Sequence, residues 1–124
     1  MARIGLSIAA LAMAALPAQA HHSASRFDRT RTVTLSGVVR QFQWNSPHCG
    51  IELLVAGRGA ASSWSIEMGA PAELYRAGWS AVSVRPGDKI TIVLNPARDG
   101  GKGGLFVSAT GSDGAPIGGG RQAI

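Results

Sequence analysis

The sequence lacks the pairs of cysteines that stabilise many small exported proteins through disulfides. It contains a single cysteine, so Cys49 cannot close an intramolecular disulfide, and stability must come from a packed core. Histidine occurs three times, and charged residues make up only 15% of the chain. No apolar run approaches the roughly 20 residues that cross a bilayer as a helix. A length of 124 residues fits one small domain and excludes a multidomain enzyme.

The first twenty residues are organised like a secretory signal peptide. Arg3 supplies a positive charge, an apolar stretch runs from residue 4 to 16, and residues 18–20 fit the small-x-small cleavage rule. We therefore expect a cleaved signal peptide over 1–20 and a periplasmic or secreted product with no transmembrane anchor. The alternative is an N-terminal membrane anchor that is never cleaved.

Basic residues outnumber acidic ones, twelve to seven, which gives a formal charge of +5. They are scattered along the chain, and the closest group is Arg26, Arg29 and Arg31. No stripe that would follow a phosphate backbone is visible, so we expect no nucleic-acid partner. A protein, or an anionic component of the cell envelope attracted by the positive charge, is the candidate partner.

Five segments after residue 31 alternate between apolar and polar residues, which is typical of half-buried β-strands. In the first segment the apolar residues change parity, which predicts a bulge or bend at Gly37. Before this glycine they are Val33 and Leu35, and after it Val38, Phe42 and Trp44. The apolar residues of the other four segments are Ile51, Leu53 and Val55; Trp64, Ile66 and Met68; Ile90, Ile92 and Leu94; and Leu105, Val107 and Ala109.

Between the third and fourth segments the pattern becomes that of a short helix. Pro71 stands at a first-turn position, Glu73 follows early, and Gly78 marks the end. This order predicts a mainly β fold: a small five-stranded OB-like barrel with one short helix between strands three and four. A flat antiparallel sheet crossed by a helix gives the same order, but the bend at Gly37 favours a barrel whose first strand serves both halves.

The expected organisation therefore has four parts. After the signal peptide (1–20) come an N-terminal arm (21–31), an OB-like barrel domain (32–112) and a flexible C-terminal tail (113–124). The tail is assigned from its small and polar composition.

Several short motifs follow one another along the chain. They are His21-His22-Ser23, Phe27-Asp28, Asn45-Ser46-Pro47-His48, Trp64-Ser65-Ile66-Glu67-Met68-Gly69-Ala70-Pro71, Gly78-Trp79 and Pro86-Gly87-Asp88. Together they resemble a family of small exported bacterial proteins known only as a domain of unknown function, over roughly residues 21–114. The resemblance implies no particular reaction. That family tends to have Ser where this chain has Ala70, a change that removes a helix N-cap worth about 1 kcal/mol.

All three histidines lie in these motifs. If cleavage follows Ala20, His21 presents a free amine beside its imidazole, and His22 follows directly. Such nitrogens bind Cu(II), and also Zn or Ni, near neutral pH. We expect His21, His22 and His48 to bind a divalent transition metal, with copper the leading candidate. Cleavage after Ala18 would favour the same metals, whereas solvated histidines without a metal are the alternative.

Three further polar residues are candidates for function. Glu52 and Glu67 lie at non-core positions of neighbouring strands, where they can act as an acid–base pair or simply face solvent. Glu67 can also cap the backbone amides of the following helix. Asn45, in the turn before His48, is the third. We assign no catalytic residue, because the sequence contains no recognisable nucleophile or phosphate loop.

Trp44, Trp64 and Trp79 each fall near the end of a strand or helix. Such residues close the core of a small barrel, or, if exposed, form a sugar- or peptide-binding face. Cys49 is expected to be a small buried hydrophobe beside His48, with a Cys-His metal site as the alternative.

The sequence thus favours an exported β-barrel that acts as a binding or accessory module. A protein-interaction or structural module without metal is the second interpretation. A small enzyme that uses Glu52, Glu67 and His48 is the third.

Overall fold

The computed structural model describes residues 24–119. Its elements are a 3-10 turn at Ala24–Arg26, β1 (Val33–Gln43), β2 (Gly50–Val55), β3 (Ser62–Glu67), α1 (Pro71–Arg76), β4 (Lys89–Pro96) and β5 (Gly103–Gly111). The predicted signal peptide and the predicted ligands His21 and His22 lie outside the described residues. Within the described part of the chain, no helix is long and apolar enough to span a membrane.

The five strands form a closed barrel in the order β1-β2-β3-β5-β4. Neighbouring strands are antiparallel except β3 and β5, which pair in parallel where residues 65–67 meet 103–105. This short parallel contact closes the barrel, since a flat sheet would leave two strands unpaired at its edges. The predicted OB-like barrel, with its helix between strands three and four, is confirmed.

Strand β1 is shared between the two halves of the barrel. Residues 33–38 pair with β4, and residues 38–43 pair with β2. The change of partner occurs next to Gly37. The prediction that the first strand serves both halves, with Gly37 at the transition, is therefore confirmed.

The apolar residues of β1 do change from one parity to the other, but the change occurs at Arg40 and not at Gly37 as predicted. The register between β1 and β2 shifts between Val39 and Gln41, so Arg40 is the bulged residue. Val39 is 1% exposed and faces the core, whereas Val38 is only half-buried. Glycine has no side chain, so Gly37 counts as neither an apolar nor a polar position. The sequence pattern therefore did not show that the alternation of Val33 and Leu35 continues through Gly37 to Val39.

A similar bulge changes the inward face of β5. Val93 pairs with Ser108 and Leu94 with Phe106, which leaves Val107 without an opposite residue. Phe106 is therefore buried along with Ala109, and Val107 is half-buried. The predicted strand is present, but its expected apolar face was wrong before Ala109.

The core lies inside the barrel and beneath α1. The ring of Trp79 makes edge-to-face contacts with Phe42 and Phe106, at centroid distances of 6.0 Å and 5.3 Å. Leu74 reaches the same core from α1. Other buried members are Val39, Cys49, Ile51, Leu53, Ile66, Met68, Val84, Ile90, Ile92, Leu94 and Ala109. Burial of this apolar surface supplies the main driving force for folding.

The chain after β5 folds back onto the barrel. Ile117 N donates to Ala109 O at 2.9 Å, and Gly119 N donates to Ala77 O, just beyond α1, at 2.7 Å. Part of the segment assigned to the flexible tail thus makes backbone hydrogen bonds to the barrel. A polar, glycine-rich composition did not reveal these bonds, because backbone amides and carbonyls form them independently of side chains. Residues 120–124 lie outside the described residues.

Candidate functional site

His48 and Glu67 come together where the β1–β2 connection meets the end of β3. Cys49 N donates to Gly69 O, and Met68 N donates to Cys49 O, both at 2.9 Å. These two bonds hold the residue after His48 beside the residue after Glu67. As a result, His48 Nε2 lies 3.8 Å from Glu67 Oε1. Both side chains reach solvent, with exposed fractions of 48% and 24%.

Glu67 also lines a cleft of about 300 Å³. This cleft is bordered by Ser65 on β3, by Lys102 before β5, and by Arg26 and Phe27 from the arm. Glu67 therefore lies beside His48 and also borders a cleft that the arm helps to form. No pattern in the sequence predicts this placement, because it depends on how the arm is held against the barrel.

The arm is fixed by backbone pairing to the connection that follows β4. Phe27 is buried and forms an antiparallel bridge with Ala97. Arg98 N donates to Arg26 O at 2.9 Å, and Arg98 Nε donates to Ser25 O at 3.1 Å. The start of the described chain is thus held against the barrel rather than extended away from it.

The turn after Phe27 is fixed by Asp28. The side-chain hydroxyl of Thr30 donates to Asp28 Oδ1 at 2.6 Å, and its backbone amide donates to the same oxygen at 3.0 Å. These hydrogen bonds, with the nearby cations of Arg98 and Arg31, lower the pKa of Asp28. The Asp28 carboxylate therefore keeps its negative charge to a lower pH than an ordinary aspartate, beside Arg31 and Arg98.

Glu52 lies on the same face of the β2–β3 ladder as Glu67, but its side chain bonds to other residues. It lies opposite Ser65 in the β2–β3 ladder, whereas Glu67 lies opposite Gly50. Its Oε1 accepts a 2.7 Å hydrogen bond from Ser63 Oγ and is 3.5 Å from Arg40 Nη1.

The cleft beside Glu52 does not include the other two residues of the enzyme interpretation. It is lined by Gln43, Gly50, Ile51, Glu52, Ser65 and Ile66. His48 and Glu67 therefore meet each other but share neither this cleft nor a contact with Glu52. The geometry supports a pair made of His48 and Glu67. Glu52 does not belong to this pair and instead interacts with Ser63 and Arg40.

The prediction that Glu67 caps the following helix is wrong. Ala70 is the N-cap residue of α1 and has no side-chain oxygen to accept a bond. Its backbone amide instead donates to Glu73 Oε2 at 3.3 Å. The spacing of Glu73, three residues after the cap, is the sequence signal that identifies it as the capping carboxylate.

The sequence model of a family of unknown function (DUF6152) matches residues 9–107. The chain belongs to this family. The predicted resemblance to a family without a known activity is thus confirmed at the level of the family. No curated protein matches the chain.

The barrel of this DUF6152 protein is similar to a solved structure of the mitochondrial single-stranded DNA-binding protein Rim1 from S. cerevisiae. The TM-score is 0.50 with 13% sequence identity, and the match covers 66% of this chain and 94% of that chain. At this identity the likeness establishes the fold and not the ligand.

Cys49 of the DUF6152 barrel is buried, as predicted. Its Sγ lies 3.8 Å from the carbonyl oxygen of Asn45, which is within reach of a weak hydrogen bond. Burial raises the pKa of the Cys49 thiol, so the neutral form is favoured. Asn45 itself is exposed at the surface and contributes its backbone to this contact.

The three tryptophans occupy different environments. Trp79 is 1% exposed and belongs to the core, so it offers no face to a ligand. Trp44 is half-buried and packs edge-on against Phe42, at a centroid distance of 5.9 Å. Trp64 is half-buried on β3. Burial of Trp79 excludes a binding face made of all three.

Residues 24–119 contain no group of three His, Cys, Asp or Glu side chains that could hold a metal ion. The pair of His48 and Glu67 offers one imidazole nitrogen and one carboxylate oxygen. Two further imidazoles, at positions 21 and 22, lie outside the described residues.

Proposed function

We propose that the chain is exported, that residues 1–20 are removed, and that the barrel is a binding module for a divalent transition metal, with copper the leading candidate. His21, His22 and His48 are the nitrogen ligands, and Glu67 is an additional oxygen ligand. One observation carries the proposal: an accessible imidazole and an accessible carboxylate lie 3.8 Å apart at the surface.

The separation of these two groups suits a shared ion. Ligand bonds of about 2.0–2.1 Å place neighbouring donor atoms about 3.3 Å apart in the tetrahedral arrangement of Zn(II), and about 2.9 Å apart in the square-planar arrangement of Cu(II). The two atoms are 3.8 Å apart, and rotation of these accessible side chains can bring them closer. Imidazole nitrogen together with carboxylate oxygen suits Cu(II) or Zn(II).

The covalent chain supports the participation of His21 and His22. They precede Ala24 by only a few residues, so the chain length keeps them within about 11 Å of Ala24 at most. Arg26 and Phe27, a short distance further along, border the same cleft as Glu67. An N-terminal amine at His21 would add a nitrogen ligand that exists only after cleavage.

The test is calorimetric titration of Cu(II) and Zn(II) into the chain that begins at His21. We expect a site of micromolar or tighter affinity that weakens at least about tenfold, or about 1.4 kcal/mol, in His48→Ala and in Glu67→Gln. Glu52→Gln is the matched control, because it removes a carboxylate from the same face without touching His48. Absence of a site, or a site unchanged in His48→Ala, would contradict the proposal.

Two measurements test the role of the amino terminus. Intact mass of the exported protein is expected to give a chain that starts at His21. A chain extended by one residue before His21 should bind Cu(II) more weakly, because its amine no longer lies beside the His21 imidazole. Retention of the leader would remove the amine ligand and refute this part of the proposal.

A further inference from the structure

Positive charge is concentrated on one part of the barrel. Residues 24–119 carry ten basic and seven acidic side chains. Half of the basic ones lie on the arm before β1 and on the β4–β5 connection, all of them exposed: Arg26, Arg29, Arg31, Arg98 and Lys102. We call these five residues the basic surface. Asp28 and Asp99 are the acidic residues in the same two segments, and the remaining charges balance, five against five.

Backbone pairing joins the two segments of the basic surface into one unit. The bridge between Phe27 and Ala97, and the bond from Arg98 N to Arg26 O, hold the arm against the β4–β5 connection. Lys102 Nζ donates to Ser62 Oγ at 2.9 Å, which ties the connection to the start of β3. The fold therefore brings the two basic segments together, although they are far apart in sequence.

The arm and the β4–β5 connection, with Asp28 and Asp99 included, carry the whole net charge of the described residues, which is +3. Arg31 and Arg98 both act on Asp28, and Arg26 and Lys102 line one cleft, so these cations repel one another and the two acidic residues neutralise them only in part. Such a surface attracts a partner with a high density of negative charge.

The side chains around the basic surface indicate the class of polyanion. Proteins that bind single-stranded nucleic acid stack the bases on exposed aromatic rings. Phe27 is buried, and the guanidinium carbon of Arg26 lies 5.7 Å from its ring centre, so this ring offers no face to a base. Among residues 24–119, the exposed large apolar side chains are Tyr75 and Val82, which lie in and after α1. In the described part of the chain, no fully exposed aromatic ring belongs to the arm or to the β4–β5 connection, so the basic surface suits an array of phosphate headgroups better than a row of stacked bases.

We propose that the basic surface docks the barrel onto an anionic phospholipid membrane. Clustered Lys and Arg side chains bind anionic lipid surfaces through additive electrostatic attraction, which salt screens. The choice of a membrane rests on the proposed export, which brings the arm past a membrane directly behind the leader. The electrostatic attraction itself rests only on the charge distribution.

The test measures co-sedimentation of the chain that begins at His21 with lipid vesicles, in the presence of a chelator. The chelator removes divalent metal ions, so the result does not depend on whether the barrel binds copper. We expect binding to vesicles of phosphatidylcholine mixed with phosphatidylglycerol, no binding to phosphatidylcholine alone, and release by added salt.

Matched charge reversals assign the binding to the basic surface. Arg29→Glu with Arg31→Glu should weaken vesicle binding at least about tenfold. Arg76→Glu with Arg85→Glu makes the same change in net charge on α1 and before β4, and should leave binding near that of the unmodified chain. Circular dichroism checks that both variants fold.

Three outcomes would overturn the proposal. The first is no binding to the mixed vesicles at low salt. The second is an equal loss of binding in the two double variants, which would show that net charge alone is responsible. The third is tighter binding to single-stranded DNA or to an acidic polysaccharide than to the vesicles, which would assign the basic surface to a partner of another class.

Discussion

Gly37 lies directly against the backbone of Leu54. A Cβ atom on Gly37 would collide with the carbonyl oxygen of Leu54 and would lie 2.9 Å from Cγ of Leu53. The contact occurs where β1 leaves β4 and joins β2. Gly37 is not among the glycines with positive φ, so the missing side chain is what this position requires.

Substitution of Gly37 by Ala is expected to destabilise the barrel by about 1–3 kcal/mol, because β2 must move to admit a methyl group. Urea unfolding followed by tryptophan fluorescence measures the change. Gly59→Ala is the control, since a Cβ there would meet nothing within 4 Å. Equal stability of the two variants would show that β1 and β2 can separate without cost.

Much of this fold could be predicted from the sequence. Ile90, Ile92 and Leu94 alternate strictly, and all three are buried on β4. The helix signals at Pro71 and Glu73 also hold, with α1 starting at Pro71. Local patterns succeed where one side of a regular element faces the core, because burial then imposes a fixed period.

The features that sequence reasoning missed depend on irregular or distant backbone contacts. The bulges at Arg40 and Val107 each shift the alternation by one residue, and no residue type requires a bulge there. The approach of His48 to Glu67 depends on backbone bonds made by Cys49 with Met68 and Gly69. Backbone hydrogen bonds of this kind cannot be predicted from the pattern of side chains, because nearly every residue carries the same backbone donor and acceptor.

Ala70→Ser is expected to stabilise the protein by about 0.5–1 kcal/mol. The backbone of Ala70 has φ −67° and ψ 154°, an extended conformation that suits an N-cap residue. A serine hydroxyl there can accept a bond from a first-turn amide, in addition to the existing bond to Glu73. Thermal unfolding is the measurement, and Ala72→Ser inside the helix is the control that should bring no gain.

Cys49 should make stability fall at alkaline pH. Its pKa is raised in the folded state by burial, so its contribution is intact while the thiol is protonated in both states. Above the ordinary thiol value of about 8.5, the unfolded chain loses the proton first and stability declines.

Urea unfolding over a range of pH measures this effect. Cys49→Ala is expected to lack the thiol-dependent part of the decline and to show only the titration of other groups. Iodoacetamide should label Cys49 slowly in the folded protein and readily in urea. Rapid labelling under native conditions would contradict the buried position of the thiol.

Truncation after Gly114 should destabilise the barrel. It removes the bonds of Ile117 to Ala109 and of Gly119 to Ala77. It also uncovers Trp79, since Gly118 packs so closely on the indole that a Cβ there would lie 3.0 Å from Cε2. We expect a lower urea midpoint and a red shift of tryptophan emission.

A chain that lacks only residues 120–124 is the control for this truncation. It keeps every one of these contacts and should match the full chain in both measurements. An unchanged midpoint after the longer truncation would show that residues 115–119 add nothing to the stability of the barrel.

Beyond Leu105, strand β5 no longer pairs with β3, and the returning segment occupies that side instead. Thr110 bridges to Pro116, and Ile117 donates to Ala109. Open edges recruit strands from other molecules, and this is a common route to amyloid. Pro116 has no amide hydrogen to offer an incoming chain. The returning segment therefore ends the hydrogen-bonded array here, and a crowded solution of this protein gains protection against intermolecular strand addition.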